Sequence, residues 1–282
     1  MKIAIVPNMQ KEQSAAALTE ICQTLRTLGA EVLLEQDVLE QVLITDAAGC
    51  EKEPMLQACD LVLALGGDGT VIHAAKEASV HQKPVLGINL GRVGLTAGLE
   101  LRELDQLKRL LTGDYRIETR MMLCVKISSR NHQYYCLNDA TVCRGSASRI
   151  VDLSVCYNGK AITDYRADGL ILSTPTGSTA YALSAGGPVI DPDVNCILLT
   201  PICPHSLVSR TIVFDAAARL HISADASEEK DVFLTVDGMD AVALNQGDIV
   251  EIQKAEIGAK FITMQTYNFY ENLIRKMPER RP

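Results

Sequence analysis

Leu61-Val62-Leu63-Ala64-Leu65 runs straight into Gly66-Gly67-Asp68-Gly69-Thr70, and Val71-Ile72-His73-Ala74-Ala75-Lys76 follows. An unbroken apolar run of that length suits a strand buried on both faces of a parallel sheet. The residues after the loop read as a helix. The stretch is therefore strand, glycine loop, helix, and its loop lies at the carboxyl end of the strand, where open α/β sheets place their ligands. Three glycines let the backbone come close to a phosphate, and the start of the helix offers free N–H groups to an anion. Asp68 does not suit a loop that only cradles phosphate. A carboxylate there has another use: to accept a proton from a hydroxyl, to hold a metal ion, or to cap the helix.

Outward from this stretch, the first half alternates strand and helix. Residues 2–6 read as a strand. Residues 12–28 read as a helix with Leu18, Ile21, Cys22, Leu25 and Leu28 on one face and Gly29 as its stop. Glu31 to Leu34 begins another strand. Residues 35–54 show no clear period; Pro54 is expected to end them, with a short helix over Met55 to Cys59. Val85 to Asn89 is a further buried strand, followed by a second glycine turn over Leu90-Gly91-Arg92-Val93-Gly94-Leu95. Glu103 to Leu111 reads as helical. This alternation predicts a parallel, doubly wound sheet. After about residue 118 the pattern becomes mostly β. Leu153, Val155 and Tyr157 alternate with polar residues up to the hairpin signal Asn158-Gly159. Strands follow at Gly169 to Ser173, Cys196 to Thr200, Thr211 to Phe214, Leu220 to Ala224, Val232 to Val236 and Ile249 to Ile252, with few helices between. That half is expected to pack sheet on sheet. Three regions are expected: an α/β domain over 1–118, a β-rich domain over 119–264, and a helix and tail over 265–282 that return to the first domain.

The chain has 282 residues, 47% hydrophobic and 22% charged, an ordinary globular composition with room for two modest domains. Its formal net charge of −8 and the lack of any long basic stretch set nucleic acid aside as a partner. No apolar run reaches bilayer length, and Ile3-Ala4-Ile5-Val6-Pro7 is too short for a signal-peptide core. Nine cysteines occur without a Cys-x-x-Cys pair or histidines at zinc spacing, which points to free thiols and a cytoplasmic setting. With no tryptophan and four phenylalanines, the core must be built from Leu, Ile, Val and Ala.

A second block stands out in the β-rich half, from Asp168-Gly169-Leu170-Ile171-Leu172-Ser173 through Thr174-Pro175-Thr176-Gly177-Ser178-Thr179-Ala180-Tyr181 to Ser184-Ala185-Gly186-Gly187-Pro188. A strand ends in a loop dense with small hydroxyls and bare backbone, suited to enclosing a polar ligand or to forming a Ser/Thr turn. The Gly66-to-Thr70 loop, Asn138-Asp139, this block and Thr200-Pro201-Ile202-Cys203-Pro204-His205-Ser206-Leu207, in this order, closely resemble the NAD kinases of the bacterial type. The glycine loop alone is also similar to that of lipid kinases and phosphofructokinases. A lipid or other small-alcohol kinase and a non-catalytic dinucleotide sensor are therefore the alternatives.

The resemblance implies a Rossmann-like first domain and a β-sandwich-like second domain, with NAD bound between them. It implies transfer of the γ-phosphoryl group of ATP, or of polyphosphate, to the 2′-hydroxyl of the adenosine ribose. Asp68 is similar to the family's catalytic carboxylate, and Gly66, Gly67, Gly69 and Thr70 form the phosphate loop. His73 matches a position near the dinucleotide. Asn138 and Asp139 look like the pair that holds ribose hydroxyls or adenine. Arg149 and Arg166 match positions reaching the dinucleotide, and Asp168 the carboxylate at the nicotinamide end. Thr176, Thr179, Ala180, Tyr181 and Ser184 match the segment wrapping the adenine. Mg²⁺ is expected to arrive with ATP, held by phosphates and water without a protein cage. A homodimer or homotetramer is implied as well. His205, between Pro204 and Ser206, reads as structural. The chain departs from the family pattern at Met239, where a polar residue is common, and at Gly94-Leu95-Thr96, where a Phe-Leu pair is common.

Overall fold

β1 (Lys2–Pro7) has parallel neighbours on both sides. The chain leaves it through α1 (Ser14–Thr27) and returns in β2 (Glu31–Glu35), then runs through α2 (Gln36–Val42), β3 (Ala48–Cys50) and α3 (Lys52–Ala58). β4 (Leu61–Gly66) pairs with the opposite edge of β1, and α4 (Asp68–Val80) leads to β5 (Val85–Asn89). The strand order is β3-β2-β1-β4-β5, all parallel. Because the chain winds outward from β1 to β3 and restarts on the other side with β4, the carboxyl ends of β1 and β4 form a topological switch point. Every residue of β4 is buried, as its unbroken apolar run requires. Ile3, Ile5, Leu63, Leu65, Leu86 and Ile88 pack with Leu18, Ile21 and Leu25 of α1 in one core. β6 (Leu99–Glu100) adds parallel to β5, and a 3-10 segment over Leu101–Leu107 leads into α5 (Lys108–Thr112), closed by Gly113 at φ +72°. These observations come from a computed structural model describing residues 1–91, 98–145, 149–206, 209–226, 231–239, 241–264 and 269–276. The second glycine turn, from Arg92 onward, and Leu207 of the last motif lie outside the described residues.

Pro54 does not end a segment. It is the third residue of α3, in the first helical turn, where a missing N–H costs no intrahelical bond. The span 35–54 holds α2 and the three-residue β3, both too short to show a period.

The second unit comprises two sheets. β7 (Arg116–Ile127) and β8 (Gln133–Cys136) form an antiparallel pair. After β9 (Asp139–Arg144), the hairpin of β10 (Val151–Tyr157) and β11 (Lys160–Ala167) turns on Asn158 and Gly159, both left-handed at φ +49° and +80°. β12 (Gly169–Ser173), a 3-10 turn over Thr176–Thr179, α6 (Tyr181–Ser184), β13 (Cys196–Ile202) and β14 (Ile212–Asp215) follow. The set closes with β15 (Leu220–Ala224), β16 (Val232–Val236), β17 (Val242–Leu244) and β18 (Ile249–Thr263). One sheet runs β14-β13-β12-β9-β16-β17, and β11-β10-β15-β18 are consecutive in the other. Val142, Leu170, Leu172, Leu199 and Leu234 of the first sheet share a core with Leu123, Val125, Leu153, Val155 and Ile222 of the second, the sheet-on-sheet packing expected for this half.

The chain divides into one unit of Met1–Thr119 with the residues from Ala259 onward, and another of Arg120–Gly258. The return to the first unit therefore falls inside β18, earlier than residue 265. Phe261 of that strand pairs in parallel with Val85. α7 (Phe269–Lys276) is the last described element.

Candidate active site

The glycine loop sits at the switch point of the first unit. Gly67 is the N-cap residue of α4 and Asp68 its first helical residue, so Asp68 is not the cap. A carboxylate in a first turn is favoured by the helix dipole. Each loop glycine has its own reason. A Cβ on Gly66 would lie 2.3 Å from Thr70 Oγ1, whereas one on Gly69 would meet nothing within 4 Å. Gly66 therefore serves the fold of the loop, and Gly69 keeps its outer side open. Thr70 Oγ1 accepts from Asn8 Nδ2 at 3.3 Å, tying the loop to the end of β1. His73, on the next turn, pairs through Nε2 with Glu77 Oε1 at 3.2 Å, and Lys52 Nζ reaches the same oxygen at 2.6 Å. Burial pushes the Glu77 carboxyl up, but the bonds from His73 and Lys52 outweigh it and hold the group below the usual carboxylate range.

In the second unit, one face of the β13-β12-β9-β16 sheet is apolar and fills the sandwich. The other carries Asp139, Thr141, Ser173 and Thr200, all buried. The loop after β12 supplies buried Thr174, Ser178 and Thr179. A buried polar layer of this density must be satisfied internally or by a ligand. Thr174 Oγ1 donates to Leu137 O at 2.5 Å and accepts from Gly177 N at 3.0 Å. Ser178 Oγ bonds the main chain of Ile190, and Thr179 Oγ1 donates to Thr176 O at 3.2 Å. These hydroxyls are spent on shaping the loop. Thr176, Ala180, Tyr181 and Ser184 remain partly or fully exposed on it.

Asn138 is gripped from two directions. Its carbonyl accepts from Thr174 N at 2.9 Å, and a Cβ on Gly177 would lie 2.0 Å from that oxygen. On the other side Asp237 accepts three main-chain N–H groups, from Leu137 at 3.0 Å, Asn138 at 2.8 Å and Asp139 at 3.2 Å. Asp237 does this from a turn in which it and Gly238 are left-handed, at φ +50° and +68°. Asp139 accepts from Thr141 Oγ1 at 3.3 Å. Burial, with the neighbouring Asp237 charge, pushes the Asp139 carboxyl up to about 6.

Asp168 lies between β11 and β12, and Arg144 at the end of β9 donates through Nε to its Oδ1 at 2.6 Å. Arg149 is exposed, and exposed Arg166 lines a cleft of about 620 Å³ with Tyr165, His205 and Arg210. His205 N donates to Arg166 O at 2.8 Å, so the main chain there shapes the cleft wall. Asn138, Asp139 and Thr179 do not line this cleft. Sequence reasoning missed three residues here. Asp237 and Arg144 act only through strand neighbours distant in sequence. Asn8 had a visible signal, its place just beyond the first strand of a parallel sheet. Among the described residues, no group of three His, Cys, Asp or Glu side chains gathers as a metal site. The single loop carboxylate, Asp68, suits a hard cation held mainly by phosphate oxygens and water.

Residues 3–115 match the ATP-NAD kinase N-terminal domain, and residues 137–264 match the ATP-NAD kinase C-terminal domain. The chain belongs to the ATP-NAD kinase family. Within the family, the NAD kinase of Symbiobacterium thermophilum is 40% identical over 280 residues, 98% of each chain. The yeast NADH kinase complexed with NADH matches with a TM-score of 0.91 at 24% identity, over 100% of this chain and 89% of that one. The NAD kinase from Archaeoglobus fulgidus in complex with ATP matches with a TM-score of 0.77 at 24% identity, over 99% of each. At that identity the two structures speak for the NAD kinase fold. The α/β first unit and mostly β second unit expected from the sequence agree with it.

Proposed function

We propose that this NAD kinase moves the γ-phosphoryl group of ATP to the 2′-hydroxyl of the adenosine ribose of NAD, giving NADP, with inorganic polyphosphate as a second donor. The observation that carries the reading is Asp68, a carboxylate at the first position of α4 on a glycine loop at the switch point. A ribose hydroxyl is a weak nucleophile, and a carboxylate within hydrogen-bond reach orients it and takes its proton. The hydroxyl oxygen bonds to the γ-phosphorus, the bond from that phosphorus to the β,γ-bridging oxygen breaks, and ADP leaves. The transition state of such a transfer is loose, so positioning and charge neutralisation matter more than base strength. A divalent cation such as Mg²⁺ neutralises charge on the transferred group when bound with the donor, and Asp68 is the loop residue able to lend it one oxygen.

The reading assigns phosphoryl transfer to the first unit and dinucleotide recognition to the second. Asn138 and Asp139 present polar groups to ribose or adenine, and the exposed side of the Thr176-to-Ser184 segment meets the adenine. Arg149, Arg166 and Asp168 reach the rest of the dinucleotide, and His73 lies on the helix that Asp68 begins. None of the nine cysteines is joined in a disulfide, which supports a cytoplasmic setting. Among the described residues no helix is long and apolar enough to cross a membrane. Family likeness supports a homodimer or homotetramer. The test is NADP formation from NAD and Mg²⁺-ATP, read with an NADP-specific dehydrogenase, and then from polyphosphate. Product is expected with ATP. Folded, NAD-binding protein that makes none with either donor overturns the reading.

A further inference from the structure

Lys11 follows β1, and its side chain crosses the switch point. Its Nζ donates to Leu90 O, just beyond β5, at 2.9 Å. β4 lies between β1 and β5 in the sheet. A side chain anchored after β1 that bonds the main chain after β5 must pass over the carboxyl end of β4, where the glycine loop begins. The glycines confirm that path: a Cβ on Gly67 would lie 3.3 Å from Lys11 Nζ, and one on Gly91 3.9 Å. The segment that carries Lys11 is fixed. Asn8 Oδ1 accepts from Gln10 N at 3.1 Å, Asn8 O from Ser14 Oγ at 2.6 Å, and Ser14 N donates to Lys11 O at 3.0 Å.

An ammonium has three donors. Lys11 gives one to a neutral carbonyl, and among the described residues no carboxylate lies within ion-pair distance of it. A half-buried cation without a counterion is placed where Gly67, by lacking a side chain, leaves room beside it. The first N–H groups of α4 come from the same loop. Fixed positive charge, bare backbone and helix N–H groups fit a chain of phosphates, and a ribose or a nicotinamide offers them nothing comparable.

We propose that Lys11 is a direct phosphate contact for the phosphoryl donor, binding the polyphosphate chain of ATP or of an inorganic polyphosphate at the glycine loop. The inference rests on the kinase reading for its place in turnover, but the phosphate contact itself is tested without turnover. Lys11→Met keeps the length of the side chain and removes the charge. Its KM for ATP is expected to rise about 10- to 100-fold, the range for a lost charge-assisted hydrogen bond, with the KM for NAD within about twofold of wild type. Lys11→Arg is expected to restore most of the ATP affinity. Calorimetry with inorganic tripolyphosphate supplies the second arm, in which binding weakens in Lys11→Met and persists in Lys11→Arg. If wild type makes no NADP but tripolyphosphate binding still depends on the charge at position 11, the kinase reading fails and the contact stands. A KM for ATP unchanged in Lys11→Met, equal rises in both KM values, or tripolyphosphate binding indifferent to the substitution overturns it.

Discussion

Asp139 is the residue whose environment makes the sharpest claim. Its folded-state carboxyl is raised to about 6 from an ordinary value near 3.8. A raised value means that the folded state binds the proton more tightly than the unfolded chain. That contribution to stability is complete below about pH 4 and is lost as pH rises through about 6. Asp139→Asn keeps an acceptor for Thr141 and removes the charge. Without ligand, the variant is expected to match wild type near pH 4 and to exceed it at pH 7 by up to about 3 kcal/mol. Denaturant titrations at both pH values check this, and a stability difference that ignores pH contradicts it. Asp237 makes the complementary claim. Asp237→Ala strands the main-chain N–H groups of Leu137, Asn138 and Asp139, at a cost of about 1–3 kcal/mol. Its KM for NAD is expected to rise more than its KM for ATP. The residues differ in how legible they were. Asp139 stood out within a recognisable pair, whereas the role of Asp237 depends on β16 and β9 lying side by side, a pairing between residues about a hundred positions apart.

Among the elements, β4 and α4 were the most legible, since an unbroken apolar run, three glycines and a helix have few other arrangements. β9 was not. Its sequence, Asp139 to Arg144, hides a strand because the polar alternates Asp139 and Thr141 are buried instead of facing water. The loop glycines separate fold from function. Gly66→Ala forces a Cβ against Thr70 and is expected to destabilise by about 1–3 kcal/mol. Gly69→Ala meets no atom within 4 Å and replaces glycine by a better helix former. It is expected to gain up to about 1 kcal/mol of stability. The added methyl narrows the outer side of the loop, so the same variant is expected to bind donor phosphates less well. Melting curves beside KM for ATP test the pair; a Gly69→Ala that loses stability contradicts the open geometry.

At the scale of the whole molecule, the two-part architecture was legible and the path of the chain was not. β18 begins in one unit and ends in the other, and no shift in composition marks the crossing at Gly258. Cys22, Cys59, Cys124, Cys136 and Cys196 are buried, and burial pushes the Cys22 thiol up to about 11. Cys203 is exposed. Alkylation of the native protein, read by peptide mass, is expected to label Cys203 first and the buried five only on unfolding. Early modification of Cys22 contradicts the packing of α1. The account turns on Asp68 as the group that accepts the proton from the ribose hydroxyl. The direct measurement is NADP formation by Asp68→Asn beside its affinity for NAD by calorimetry and its melting temperature. A fall in kcat of about 10²- to 10⁴-fold is predicted, the range for loss of a general base, with NAD binding and stability near those of wild type. Turnover at the wild-type rate by a folded Asp68→Asn contradicts the account.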